Sequence, residues 1–357
     1  MTAVVTDKQI SWTRITPEAD ATHGKPCTRS SHGLSLVRGG SRLILLGGEH
    51  VARTPLEGSN RYWAADKTDA NKWQWRLIAS ADSGPPERIA HAQAAHQDQF
   101  VYIFGGRAGI TMEEKAMNDL WKLDCSGEPG TETWSQVEAT SGTPPEARSF
   151  HKMICVGNNL FVFGGCTAGH GRAADLHRFD LESKTWYSLG TSALRGRGGP
   201  NLLPMAGGTK VGVVAGFAGE ETADGQLFDI AAGKWNDQLL ESELEGMRPR
   251  SVCVSGSFPS SGYSVIFGGE VDPPDRGHEG AGAFENDVVV LDETSGAFLA
   301  SIKAKGGAWP QTRGWSDSAA VDSGNGSGQL YIFGGLSGDD KNPERLDDLW
   351  VLDVQKA

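Results

Sequence analysis

Between Gly268 and His278 the chain reads GGEVDPPDRGH, placing a glutamate, two aspartates and a histidine within nine residues. Glu270, Asp272, Asp275 and His278 are hard oxygen and imidazole donors. Such a set suits ferrous iron, manganese or zinc, with positions left open for a substrate. The competing reading is a solvated acidic loop stiffened by Pro273 and Pro274. Glu49-His50 echoes the pattern earlier in the chain. Six arginines, Arg29, Arg88, Arg148, Arg197, Arg250 and Arg313, recur at similar positions. Converging on one opening, they could hold a sulfate, phosphate or carboxylate bidentately. Their presence in every copy favours, for most of them, a structural pairing with acidic residues or carbonyls of adjacent units. Phe150 and Trp315 are candidates for the apolar wall of a pocket. His32, His91 and His151 each follow a repeat arginine by three residues. Strand alternation sends them to the opposite face, where a packed core histidine is the expected role.

The elements that must position these groups are repeated. An apolar run ending in Gly-Gly recurs at Gly47, Gly105, Gly164, Gly268 and Gly334, with a degenerate copy at Gly216-Phe217. Successive copies are 58, 59, 52, 52 and 66 residues apart. Each arginine precedes its glycine by 16 to 21 residues, and a short strand with an acidic end follows, as in NDLWKLD, ADLHRFD, NDVVVLD and DDLWVLD. A tryptophan then marks an outer strand: Trp73 or Trp75, Trp134, Trp186 and Trp235, with Phe298 in the fifth copy. Each copy therefore reads as a four-stranded antiparallel meander. One such sheet cannot bury both faces alone, so the copies must stack radially. The last copy lacks its outer tryptophan, and SWTRI around Trp12 supplies the missing strand. The two ends of the chain are expected to share one sheet, which removes an exposed edge. The stretch 237–247 reads as either a short helix or an extended loop.

Composition bounds the function. The chain has 357 residues, 48 Gly, 11 Trp and a formal net charge of −12. That charge argues against nucleic acid as the main partner, since phosphate binding needs a basic field. No apolar run is long enough for a membrane span, and residues 1–12 lack a signal-peptide core. The five scattered cysteines form no CxxC pair, which fits reduced thiols in a cytoplasmic protein. There is no P-loop or Rossmann fingerprint, so no nucleotide cofactor is expected. GGRAG and GRGGP are glycine-rich, but neither opens a helix.

The Gly-Gly, aromatic and tryptophan repeats resemble kelch proteins. The resemblance implies an all-β, six-bladed kelch β-propeller, one domain over residues 1–357, closed by its N-terminal strand. From residue 148 onward, ARSFH, GRGGP, RPRSV, VIFGGE and TRGWS are similar in order and spacing to the nitrile-specifier and thiohydroximate-forming proteins of plants. That similarity implies an iron-dependent lyase or isomerase acting on unstable aglucones released from glucosinolates. The family's iron ligands form a Glu-x3-Asp-x3-His motif. Glu270 and His278 match its ends, while Pro274 stands at the centre with Asp272 and Asp275 on either side. The resemblance further implies that Arg88 and Arg148 contact substrate and that Trp315, beside Phe150, lines the pocket. Glu270, His278 and Trp315 are the catalytic candidates. The expected function is Fe(II)-assisted rearrangement or elimination on a small anionic organic substrate at the channel mouth. The alternative is a non-catalytic scaffold that binds a protein partner through its loops.

Overall fold

The computed structural model describes residues 8–69, 72–78, 83–109, 116–167, 169, 171–304 and 306–356. Six four-stranded antiparallel sheets account for the repeats. Blade 1 is Gly33–Val37, Arg42–Leu46, Tyr62–Asp69 and Lys72–Leu77. Blade 2 begins at Ala92–His96, blade 3 at Lys152–Val156, blade 4 at Asn201–Met205 and blade 5 at Val254–Phe258. Blade 6 joins Asp317–Asp322, Ser327–Gly338 and Pro343–Gln355 to the N-terminal strand Ile10–Ile15. That strand runs antiparallel to the last one, with Trp12 opposite Leu352. The expected sharing of a sheet by the two ends is therefore present.

The second strand of each blade reads as a continuous apolar run because both of its faces are covered. In Arg42–Leu46, Leu43 and Leu45 pack with Tyr331 and Phe333 of blade 6. The intervening Ile44 and Leu46 pack with Val101 and Ile103 of blade 2. Strand alternation thus sends successive side chains into two different interblade cores. The repeat aromatics fill these cores in one direction around the ring. Trp75 lies 5.5 Å from Phe333, Trp134 5.2 Å from Tyr62, and Trp186 5.3 Å from Phe104. Trp235 lies 5.9 Å from Phe163 and Trp12 4.7 Å from Phe267. Trp73 is buried as well, against Tyr331. Residues 237–247 form turns rather than a helix, and Leu240 and Leu244 are buried between blades 4 and 5.

Backbone hydrogen bonds tie each blade to the next and close the circle. The second Gly-Gly residue donates to the arginine carbonyl of the following blade, with Ala215-Gly216 rather than Gly216-Phe217 in the Gly-Gly place of blade 4: Gly48 to Arg88, Gly106 to Arg148, Gly165 to Arg197, Gly216 to Arg250, Gly269 to Arg313 and Gly335 to Arg29. A side chain has no room there. A Cβ on Gly165, which has φ +93°, would stand 2.6 Å from the Ser149 carbonyl oxygen. A second circle lies nearer the axis. Ser31 N–H donates to Trp315 O, Ala90 to Ser31, Phe150 to Ala90, Gly199 to Phe150, Val252 to Gly199 and Trp315 to Val252. All six residues have left-handed backbone, with φ between 47° and 57°. Only one of them is glycine. Left-handed backbone is a strained state for a β-branched residue such as Val252.

Candidate functional site

The inner circle is the floor of a cavity of about 600 Å³ at one mouth of the channel. Phe150 of blade 3 and Trp315 of blade 6 come from opposite blades. Their rings meet edge to face at 5.4 Å and form an apolar base. The wall is a second six-membered set, the residue after Gly-Gly in every blade: Glu49, Arg107, Cys166, Phe217, Glu270 and Leu336. Arg53 and Arg172 complete the charged lining.

The repeat arginines are not part of this lining. Arg88 donates to both carboxylate oxygens of Asp119 at 2.8 Å and to Gly105 O at 2.9 Å. Arg148 does the same with Asp175 at 2.7 and 2.8 Å and with Gly164 O at 2.9 Å. Arg197, Arg250 and Arg313 follow the pattern with Asp224, Asp287 and Asp348. In blade 1 Asn60 replaces the aspartate and accepts from Arg29. Arg88 and Arg148, expected to contact substrate, are thus corrected to structural clamps. Their guanidinium groups are buried and committed to blade-internal acceptors. Burial works against ionised Asp175, but its pairing with Arg148 and His177 holds the carboxyl well below its usual range. The three histidines are core residues as expected. Burial, followed by the nearby repeat arginines, pushes all three to low pKa, His91 to about 3.

The cavity's cations come from elsewhere. Arg107 follows Gly-Gly of blade 2 and is buried. Arg172 extends from a blade 3 loop with its guanidinium 4.5 Å over the Phe217 ring. Both stand close enough to the Cys166 thiol to oppose the upward push of burial on it. Glu49 adds little free charge to the wall. It accepts from the Ser30 and Ser31 hydroxyls at 3.2 and 3.1 Å, and Arg345 lies 3.5 Å away.

Glu270, from blade 5, lines the same cavity. Its side chain is buried, and Oε1 has no hydrogen-bond partner among the described residues. Burial and then the neighbouring Glu221 carboxyl push its pKa up to about 8, against donation from Gly282 N–H and the Trp315 indole. Glu221, from blade 4, is itself pushed up to about 7 by burial and by Asp272, with Ser251 and Arg172 opposing. Two adjacent buried carboxyls cannot both ionise cheaply, so burial and the second carboxyl both favour the protonated form of Glu270.

Of the other implied metal donors, those whose side chains are described do not gather around Glu270. Asp272 has a side chain 70% exposed and turned to Arg248 at 3.1 Å. Asp275 is exposed, and Pro274 offers no donor. His278 lies in the short turn Gly277–Glu279, and its side chain is outside the described residues. Among the described residues no three His, Cys, Asp or Glu side chains converge. Arg107, Arg172 and Glu221 were not singled out from sequence. For Arg107 a signal existed: it occupies the same post-glycine position as Glu49 and Glu270.

A closed ring of six meanders with a lined mouth defines a β-propeller with a small-molecule-sized cavity. The chain belongs to the kelch-repeat family: the KLHDC2/KLHL20/DRC7 Kelch-repeats domain matches residues 3–138 and 33–269. It is similar to N-(sulfonatooxy)prop-2-enimidothioate sulfolyase of Thlaspi arvense, 25% identical over 93% of this chain and 94% of that protein. It also resembles Adagio protein 3 of Arabidopsis thaliana, 29% identical over 65% of the chain but 37% of that protein. Host cell factor 2 of Homo sapiens is 26% identical over 64% of the chain and 28% of that protein. The solved structure of YjhT shares the fold, with a TM-score of 0.65, 18% identity and coverage of 91% and 95% of the two chains. No helix among the described residues is long and apolar enough to cross a membrane, and the five cysteines are free.

Proposed function

We propose that the chain binds a small organic anion in the mouth cavity and promotes an elimination or rearrangement that releases an oxyanion. One observation carries this reading: Arg107 and Arg172, one buried and one stacked on a ring, line an apolar-floored cavity together with the buried carboxyl of Glu270. Arg107 and Arg172 hold the anionic group. When the bond to that group breaks, its electron pair leaves with the oxyanion, and the developing charge lies against the two guanidinium groups. Phe150 and Trp315 exclude water below the substrate, which strengthens these interactions. Burial raises the Glu270 pKa to about 8, which suits it to give a proton to a leaving or newly formed anion. The similarity to a sulfolyase along nearly the whole chain supports a sulfate ester or a related sulfonatooxy compound as substrate. No step is routed through iron, because the described donors do not converge.

Two relatives are longer proteins that share only the propeller, which is the argument for a protein-binding scaffold. The surface favours the cavity instead. Among the described residues the exposed large apolar side chains are Val51 and Tyr187, which lie in different blades and form no patch.

Calorimetry with ethyl sulfate, alongside sulfate release from an N-sulfonatooxy thioimidate, tests the proposal. Arg107→Ala and Arg172→Ala should each weaken ethyl sulfate binding by about tenfold, the loss of one charge-assisted contact. Glu270→Gln should slow sulfate release with little effect on binding. Unchanged binding in both arginine variants would overturn the reading.

A further inference from the structure

We propose that Arg53 forms a second anion subsite on the rim of the cavity, beside the blade 5 loop at Gly277, so that the cavity takes an organic dianion whose second charged group Arg53 holds. The inference rests on the anion-binding reading above and extends it to the ligand's second charge.

Arg53 sits at the turn of the small hairpin Glu49–Val51 and Thr54–Pro55 above blade 1. It is held in left-handed backbone at φ 59°, and its own N–H donates to Glu49. This geometry turns the side chain away from its own blade. Its Nη2 lies 3.9 Å from where a Cβ would stand on Gly277, in the facing loop of blade 5. The other two cavity arginines flank Cys166 of blade 3. Arg53 thus stands beside a blade 5 loop and the other two beside Cys166 of blade 3, so a ligand with two charged groups could engage both.

The Arg53 Nε is buried with no hydrogen-bond partner among the described residues. Buried, unpaired donors are rare in folded proteins and call for a missing acceptor. The carboxylate next to it on its own hairpin is already engaged. Glu49 accepts from two serines and lies beside Arg345. On the facing loop, Arg276 takes Glu279 at 3.9 Å and the Asp340 carboxylate and carbonyl. Gly277 leaves the approach to Arg53 without a side chain. A ligand oxyanion at the rim would supply the acceptor that the protein does not.

The probes are ethanesulfonate and 1,2-ethanedisulfonate, titrated calorimetrically into the full chain at fixed ionic strength. Wild type should bind the disulfonate about tenfold more tightly than the monosulfonate, the effect of one further charge-assisted contact. Arg53→Gln should erase that preference and leave monosulfonate affinity within about twofold. Arg53→Lys, a point charge without the fork, should keep part of it. Thermal unfolding of each variant checks that the ring is intact. If wild type binds both probes equally, or the preference survives in Arg53→Gln, the second subsite is wrong while the first stands. If neither probe binds, both readings fall.

Discussion

Arg148→Met offers the sharpest separation of structural from functional arginines. The side chain is 1% exposed and donates to Asp175 twice, to Gly164 O, and to Glu146 O at 2.9 Å. Methionine fills much of the same volume but leaves the Asp175 carboxylate half-buried and without its guanidinium. Breaking such a pair by removing one partner costs about 3–5 kcal/mol. An unfolding entropy of about 2.1 cal/mol/K per residue over 357 residues gives about 0.75 kcal/mol/K. The expected fall in Tm is therefore about 4–7 °C. The effect should also depend on pH. Asp175 has a depressed pKa in the folded state, so its contribution is present above the unfolded value of 3.8 and is lost as pH falls through the folded one. The gap between wild type and Arg148→Met should thus shrink below about pH 4. Scanning calorimetry at several pH values, with ethyl sulfate affinity measured on the same samples, is the assay. An unchanged Tm together with lost ethyl sulfate binding would show that Arg148 works in the cavity, and the clamp argument would be refuted.

Two further outcomes follow from the same geometry. Trp12→Ala removes a buried ring that lies 4.7 Å from Phe267 and 6.4 Å from Trp309 in the closing strand. It should cost about 3–5 kcal/mol and increase protease cutting near both chain ends; a change within about 1 kcal/mol would argue against closure through this strand. Glu270→Gln should flatten the stability profile at neutral pH. The folded pKa of Glu270 is raised from 4.5 to about 8, so its favourable protonated state is fully present below 4.5 and is lost as pH rises through about 8. The variant should therefore gain on wild type as pH rises from 5 to 8 in urea titrations, and parallel profiles would show that the carboxyl is ionised throughout.

Much of the fold is legible in the residues because each blade repeats one set of local requirements. Gly-Gly marks where the next blade's backbone comes within hydrogen-bonding distance. The arginine, with the aspartate that follows the Gly-Gly strand in blades 2 to 6, marks a clamp inside each sheet, Asn60 serving in blade 1. The tryptophans mark the interblade cores, and Trp12 marks the closing strand. The same regularity misdirects the search for a site. Arg88 and Arg148 are conspicuous because they repeat, and they repeat because every blade needs the clamp. Arg107 and Arg172 differ from their counterparts in other blades and attract no notice in a search for repeats.

What sequence alone determined is the periodic part: six sheets, their order, and the pairing of the two ends. Tertiary structure alone decided which non-repeating side chains meet. Closure takes one position from each blade, some fifty to sixty residues apart along the chain, and sets the six around one axis. That places Glu270 beside Glu221, Phe150 against Trp315, and Arg53 over a loop of blade 5. Spacing along a strand reports which face a residue occupies. It carries no information about what stands opposite once the ring has closed.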